Sequence, residues 1–320
     1  MSGFTVGVYR NYDYPELNRQ TPFQSGVWDN ILFMVDVINK PCDVLVVLNQ
    51  FFRDIKIECG EVWQIIQEPP IDVFPWVFEK QEVFNRIYSP YVPDISDKRF
   101  ILSHGALPWH VRKTYDELVA LPPPVKSKKL SWIVTNKAVF PGHLKRMAFL
   151  DKLKASGIEF DLFGYGFNPI KDKYNGLCQY RYSLAIENCS FPYYWTEKVA
   201  DCFLSWTMPI YYGCPNLADY FPEQSFIHID IDDPNVFVQI KDILESDLYL
   251  KNRDAIAEAR RLILDKYQLF PFISNELKKT ALDFPIRSRV FRAYKESWKS
   301  KIRSRIRKVK TMIGHYKGWI

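Results

Sequence analysis

The chain has 320 residues, of which 47% are apolar and 25% are charged. This is the composition of a globular protein and excludes a disordered or fibrous chain. The length predicts about two domains. No apolar run approaches the roughly 18 residues that a membrane-spanning helix needs, and the N-terminal sequence lacks the basic-then-apolar pattern of a signal peptide. We therefore expect neither a secreted protein nor a membrane span.

The net charge of +6 is unevenly distributed. Residues 287–310 hold eleven Lys or Arg and one acid, whereas 32 Lys or Arg and 36 Asp or Glu remain elsewhere. Apolar residues in this tail recur every three or four positions, as on one face of a helix: Trp298, Ile302, Ile306, Val309 and Ile313. A basic amphipathic helix predicts binding of residues 298–313 to an anionic membrane surface. A solvated helix packed on the body remains the alternative, and we expect no nucleic-acid partner because no such motif is present.

The six cysteines are scattered without a Cys-x-x-Cys pair, and the five histidines show no metal-ligand spacing. We expect free, buried thiols in a reducing compartment and no metal site. The acidic stretch 230–233 contains an Asp-x-Asp arrangement, for which a solvated loop after a strand is the preferred interpretation.

A segment rich in proline and lysine, 121–129, divides the chain near residue 125. Before it, strands are predicted at 4–9, 43–48 and 62–66, and a helix between 27 and 38. After it, strands are predicted at 130–134, 160–163, 182–186, 209–212 and 226–229, and helices at 143–155, 196–206, 235–244 and 248–267. This alternation predicts an α/β protein with two Rossmann-like domains facing across a cleft, residues 1–125 and 126–285, followed by the basic amphipathic tail, residues 286–320.

Polar residues follow several of these strands, where open parallel sheets bind their ligands. Glu68 follows the strand at 62–66. Thr135 and Asn136 follow the first strand of the second domain, and Glu187 with Asn188 follows its third. Each of them, taken singly, is also typical of a cap or a turn.

The segment 193–198, YYWTEK, predicts an anion site. Thr196 as N-cap places Glu197 and Lys198 in the first helical turn, where a lysine opposes the helix dipole. A bound phosphate or diphosphate removes that conflict. Arg146, in the helix after Asn136, offers a planar fork of donors to the same anion. A solvent-facing side chain remains the alternative for both cations.

The stretch 180–227 resembles glycosyltransferase family 10, the α-1,3/4-fucosyltransferases. The matching motifs are YRY at 180–182, EN at 187–188, YWTEK at 194–198, PIYYG at 209–213 and SFI at 225–227. Upstream, IVTN at 133–136 with Arg146, and QEP at 67–69, are similar to further family segments. The chain departs from the family at Trp195, at Tyr165 in place of an arginine, and at 88–90.

The resemblance implies two Rossmann-like domains of the GT-B type and an inverting transfer of fucose from GDP-fucose to a GlcNAc- or glucose-containing glycan, with an α-1,3 bond expected. Glu68 would be the general base, and Arg146 and Lys198 would neutralise the leaving diphosphate. The remaining donor-binding residues would be Thr135, Asn136, Asn188, Tyr194 and Glu197, with a structural role for Glu187.

The family chemistry requires no cofactor, and stimulation by a divalent metal is left open. The expected partners are GDP-fucose, a lipopolysaccharide or oligosaccharide acceptor and, through the tail, the cytoplasmic face of a membrane. Two alternatives remain: a transferase of the same fold that uses another nucleotide sugar, and a non-catalytic glycan- or membrane-binding relative.

Overall fold

The computed structural model describes residues 3–37, 39–69, 74–280 and 285–295. This part of the chain forms two compact units. The described residues of the first unit fall within Met1–Trp109, Lys113–Leu121 and Leu262–Lys295, and those of the second fall within His110–Arg112 and Pro122–Arg261. The units separate within the predicted linker segment. The predicted second domain, 126–285, reaches further than the second unit, because the chain returns to the first unit at Leu262.

The strands and helices alternate along the chain. In chain order the strands are β1 (Phe4–Tyr9), β2 (Val27–Trp28), β3 (Ile31–Val35), β4 (Cys42–Leu48), β5 (Ile55–Ile65), β6 (Arg86–Ser89), β7 (Phe100–Leu102), β8 (Lys128–Ile133), β9 (Asp161–Phe163), β10 (Tyr180–Ile186), β11 (Met208–Tyr212), β12 (Ile227–His228) and β13 (Arg287–Phe291). The helices are α1 (Tyr115–Ala120), α2 (Pro141–Ala155), α3 (Glu197–Leu204), α4 (Val236–Glu245), α5 (Leu248–Lys251), α6 (Arg253–Leu262) and α7 (Leu269–Lys278), with a π-helical turn at Ile263–Tyr267.

The first unit is built on one sheet with the strand order β2-β3-β1-β4-β5-β6-β7, and β13 pairs with β5. Its pairings are parallel except β2 with β3 and β13 with β5. The central strand β4 is apolar from Val44 to Leu48 because both of its faces are covered there. Val44 and Val46 belong to the core cluster on one face, and Leu45 and Val47 to the cluster on the other.

Two sequence predictions for this unit are wrong. The segment predicted as a helix between 27 and 38 forms β2 and β3 instead, because its apolar run alternates in burial and pairs with β1. Ile38 lies outside the described residues. The predicted tail began at residue 286, but Arg287–Phe291 is an edge strand on β5. The apolar stripe from Trp298 to Ile313 lies outside the described residues, so the amphipathic helix stays a prediction.

The second unit has a five-stranded parallel sheet with the order β12-β11-β10-β8-β9. The chain places β9 on one side of β8 and β10 on the other, so the gap between β8 and β10 is the switch point at which such sheets bind ligands. Trp132 of β8 packs edge-on against Phe149 of α2, with 5.8 Å between ring centroids. The predicted α/β class with parallel sheets is confirmed, and the predicted cleft stays a prediction.

Within the described ranges, no helix combines the length and the apolar character needed to cross a bilayer. All six cysteines are free, and four of them are buried.

Candidate active site

Glu68 lies in the first unit, just beyond the carboxyl end of β5, and its side chain is half-buried. The residue before it is fixed by three hydrogen bonds. The Gln67 backbone N–H donates to Asn49 Oδ1 at 2.7 Å, its Nε2 donates to Gly105 O at 3.2 Å, and its Oε1 accepts from the Tyr12 hydroxyl at 2.9 Å. Burial raises the pKa of Tyr12, so this phenol stays neutral and donates. The loop that carries Glu68 is therefore anchored by neutral groups.

In the second unit, the loop after β8 contains Thr135 and Asn136, and it packs against the turn after β9. The Asn136 backbone N–H donates to Tyr165 O at 3.1 Å. Gly164 and Gly166 flank Tyr165 with φ of +122° and +85°, in the region that favours glycine. A Cβ at either glycine would collide with this loop, at Val134 O or at the Asn136 side chain. The two segments thus form one rigid surface at the carboxyl edge of the sheet.

The loop after β10 carries Glu187, whose carboxylate is fully buried. Oε1 accepts hydrogen bonds from the Thr196 backbone N–H at 2.9 Å and from its hydroxyl at 2.8 Å. Oε2 accepts from Lys198 Nζ at 2.9 Å. A buried carboxylate needs such partners to remain charged. Glu187 therefore organises the start of α3, as the expected structural role requires.

Thr196 is the N-cap of α3, as predicted, and its side chain accepts from the Lys198 backbone N–H. The next residue, Glu197, points into a second charged cluster. Its Oε1 lies 3.4 Å from Lys173 Nζ, 3.8 Å from Lys198 Nζ and 3.9 Å from His110 Nδ1. Burial raises the pKa of Glu197, but the surrounding positive charges outweigh it and hold the pKa well below its usual value. Glu197 is therefore a permanent carboxylate.

Lys173 joins this cluster to the next turn of the helix. Its Nζ also lies 3.0 Å from Asp201 Oδ2, and Asp201 Oδ1 accepts from the backbone N–H groups of His110 and Val111 at 2.7 and 3.2 Å. Sequence analysis missed both charged residues. Asp201 stands four positions after Glu197 on α3, a spacing that places both on one helix face and could have indicated the pair. Lys173 lies in a connecting segment and gave no signal.

Arg146 is the buried cation of the site, 6% exposed. Its Nε has no hydrogen-bond partner and its guanidinium forms no ion pair in the described part of the chain. Burial lowers the pKa of Arg146, and the carboxylates of Glu187 and Glu197 oppose that shift. A buried cation without a direct partner is costly to the fold, and a bound anion offsets that cost. This geometry favours an anion beside Arg146.

The start of α2 lies directly against the loop after β10. A Cβ on Gly142 would collide with the backbone carbonyl of Asn188, so only glycine permits this approach. His143, next in the helix, has a pKa lowered to about 4 by burial and by the charges of Arg146, Lys137 and Lys198. Cations from the loop after β8, from α2 and from α3 therefore all act on the His143 imidazole. These three elements lie close together near the switch point.

The structure therefore brings together most of the predicted donor-binding residues within the second unit. Tyr194 is buried in the same unit, and the Asn188 backbone lies against the start of α2. Lys198 is ion-paired with Glu187, so an acid already balances the charge that we expected a bound anion to balance. The placement of Glu68 in one crevice with Arg146 and Lys198, and each residue's role, stay predictions. Across the ranges that the structure covers, no group of three or more His, Cys, Asp or Glu side chains could hold a metal ion.

The second unit belongs to the class of open parallel α/β units, which bind their ligands at the switch point of the sheet. Among family models, residues 123–253 match "Glycosyltransferase family 10 (fucosyltransferase) C-term". This part of the chain is therefore similar to the C-terminal domain of glycosyltransferase family 10, and the predicted resemblance is confirmed.

Similar proteins include "Alpha-(1,3)-fucosyltransferase FucT" of Helicobacter pylori, 33% identical over 112 residues, which are 33% of this chain and 22% of the relative. The human "3-galactosyl-N-acetylglucosaminide 4-alpha-L-fucosyltransferase FUT3" is 24% identical over 176 residues, covering 53% of this chain and 45% of the relative. The match thus spans less than half of these relatives. The solved "Crystal Structure of alpha1,3-Fucosyltransferase with GDP-fucose" is 17% identical with a TM-score of 0.45, over 84% of this chain and 92% of that one.

Proposed function

We propose that the protein is an inverting fucosyltransferase that moves L-fucose from GDP-fucose to a hydroxyl of a GlcNAc- or glucose-containing glycan, with α-1,3 linkage. The observation that carries this proposal is the family match over the unit that holds Arg146. That match supports a fucose donor. The buried Arg146 guanidinium, whose Nε has no partner among the described residues, supports an anionic ligand at the same place.

The proposed reaction is a single displacement. The acceptor oxygen attacks the anomeric carbon of fucose, the bond from that carbon to the diphosphate oxygen breaks, and its electron pair leaves with GDP. The acceptor proton passes to the Glu68 carboxylate, which is the general base. Attack from the side opposite the leaving group inverts the anomeric configuration. A correctly placed base contributes about 10²- to 10⁴-fold to such a rate.

The leaving diphosphate gains negative charge as the bond breaks. Arg146 and Lys198 are the cations proposed to stabilise it, because groups fixed in place before the reaction need no reorganisation during it. Lys198 is held by Glu187 and Thr196, at 2.9 and 3.0 Å from its Nζ. With two protein cations in this role, the scheme needs no resident metal, and a divalent ion would act only as a stimulant.

Glu197 is proposed to accept hydrogen bonds from the ribose or fucose hydroxyls. Its low pKa keeps it an acceptor at any physiological pH. Asn188 offers a side-chain oxygen, Oδ1, that is buried without a partner among the residues that the structure describes. Tyr194, Thr135 and Asn136 complete the proposed donor site.

The test is an assay of the purified protein with GDP-fucose and a panel of acceptors that end in lactosamine, lacto-N-biose or glucose. We expect a fucosylated product by mass spectrometry and an inverted α-linkage by NMR, with activity retained in EDTA. Parallel reactions with GDP-mannose and UDP-galactose test for another donor. If the protein neither transfers fucose nor slowly hydrolyses GDP-fucose, the proposal is wrong.

We also propose that residues 298–313 hold the enzyme at an anionic membrane surface, on the basis of the apolar stripe and the surrounding basic residues. Full-length protein should float with vesicles that contain anionic lipid and not with neutral vesicles. Replacing Arg303, Arg305, Arg307 and Lys308 with Gln should abolish flotation. Unchanged flotation of this variant would remove the tail from the interaction.

A further inference from the structure

Tyr165 is unlike the other aromatic residues of the second unit. Its side chain is 74% exposed, whereas every other described aromatic side chain of that unit is buried or half-buried. The unit packs its remaining rings into the core or against its surface. Burying a ring removes about 150–250 Å² from water, which stabilises the fold. Exposure of this one ring therefore calls for a physical reason.

The turn that carries Tyr165 is held firmly. Gly164 N–H donates to Asn168 O at 2.9 Å, Phe167 N–H donates to Gly164 O at 3.1 Å, and Tyr165 O accepts from the Asn136 backbone. The close approach of Gly164 and Gly166 to the loop after β8 leaves the turn no room to fold inward. The ring is thus presented to solvent by a rigid support, which lowers the entropy lost when a ligand binds to it.

The position of the turn relates it to the anion site. Tyr165 follows β9, and Arg146 and Lys198 follow β8 and β10, the next two strands of the sheet. Neighbouring strands are about 4.8 Å apart, so the carboxyl ends of β9 and β10 are separated by roughly 10 Å. A nucleoside diphosphate whose phosphates lie at the switch point can therefore extend its base over the turn after β9.

From these observations we infer that the Tyr165 ring stacks on the nucleobase of the donor nucleotide. Stacking suits this position because every base presents an aromatic face and needs no particular hydrogen-bond pattern. Tyr165 then supplies affinity for the nucleoside, while the charged groups at the switch point bind the diphosphate. The inference rests on the proposed function for the identity of the nucleotide, GDP.

The experiment measures dissociation constants by calorimetry for GDP and for pyrophosphate, which lacks a base. Tyr165→Ala should weaken GDP binding roughly five- to a hundredfold, the usual range for loss of one base–aromatic stack, and leave pyrophosphate binding unchanged. Tyr165→Phe and Tyr165→Trp should retain GDP affinity. Val139→Ala, which shortens an exposed apolar side chain in the neighbouring loop, is the matched control and should bind both ligands like the wild type.

The outcomes separate this inference from the proposed function. If the wild type binds GDP and Tyr165→Ala binds it equally well, the stacking role is wrong and the proposed function stands. An equal loss of GDP and pyrophosphate in the Ala and Trp variants alike would assign Tyr165 to the structure of the turn and overturn the inference. If the wild type binds UDP in place of GDP, the proposed donor is wrong, and the same variants test stacking with UDP.

Discussion

The carboxyl edges of the two sheets are built from different chemistry. In the first unit, the loop before Glu68 is held by amides, a backbone carbonyl and a neutral phenol, through Gln67, Asn49, Gly105 and Tyr12. In the second unit, the corresponding edge is held by ion pairs among Glu187, Lys198, Glu197, Lys173 and Asp201.

This difference bears on what each edge can do. A carboxylate surrounded by neutral groups keeps a proton affinity that a base can use, whereas one surrounded by cations is too weak a base. Glu197 is of the second kind. Glu197 is therefore too weak a base for the proposed proton transfer, and the residue proposed as the base, Glu68, belongs to the first unit.

The largest expected effect comes from removing the proposed base. Glu68→Gln should lower the rate of fucose transfer about 10²- to 10⁴-fold, because the amide cannot accept the acceptor's proton. GDP affinity, measured by calorimetry, should stay within about twofold, since the change lies in the other unit. Glu82→Gln, at an exposed residue of the same unit, is the control. Turnover of Glu68→Gln at the wild-type rate would exclude Glu68 as the base.

The second test concerns the stability of the charged edge. Lys198→Met leaves the buried Glu187 carboxylate without its cation, which should lower the free energy of unfolding by about 3 kcal/mol. Urea denaturation of the variant and of the wild type measures this loss of stability. Combining Lys198→Met with Glu187→Gln should recover part of the loss, because the neutral amide still accepts from Thr196. A single variant as stable as the wild type would mean that the ion pair does not hold this edge.

Replacing Arg146 should affect stability in the opposite way to replacing Lys198, because Arg146 is buried without an ion pair. Arg146→Met should leave the free energy of unfolding unchanged or raise it, since a costly buried charge is removed. GDP affinity should fall by roughly 10- to 100-fold, as expected when one or two hydrogen bonds to a charged group are lost. Strong destabilisation with unchanged GDP affinity would make Arg146 a structural residue.

How much of this could be predicted from the sequence depends on the range of the interactions. Strands such as β4 and β10 were predictable because their buried runs are local patterns. The N-cap Thr196 was predictable from chemistry within one turn. The segment at 27–38 was not, because a short apolar run fits either element until its partner strand is known.

The same limit applies to the candidate site. Arg146 and Lys198 were predicted as cations for one anion, but the pairing of Lys198 with Glu187 arises only when β10 and α3 come together. Lys173, in a connecting segment, is recruited to Glu197 and Asp201 by tertiary packing alone. The sequence alone therefore does not predict that Lys198 is ion-paired and Arg146 is not.

The smallest expected effect is a change in the pKa of one histidine, which distinguishes the second unit from the first. His104 of the first unit and His143 of the second both have a pKa lowered to about 4. Burial is the main cause in each, but for His143 the cations Arg146, Lys137 and Lys198 contribute as well. Below pH 6.5 these histidines bind protons in the unfolded chain but stay neutral in the folded protein. Both therefore lower the free energy of unfolding as the pH falls from 6.5 towards 4.

An anion at the switch point should neutralise the cations around His143 and raise its pKa towards the ordinary value, because the imidazolium is then less strongly repelled. His104 hydrogen-bonds Tyr267 O at 2.8 Å and is buried among aromatic rings, so it should titrate unchanged. NMR titration of both histidines with and without GDP, or with pyrophosphate alone, measures the two shifts in one sample. Equal shifts at both residues would indicate a general change in the fold, and no shift at His143 with saturating GDP would place the diphosphate away from Arg146.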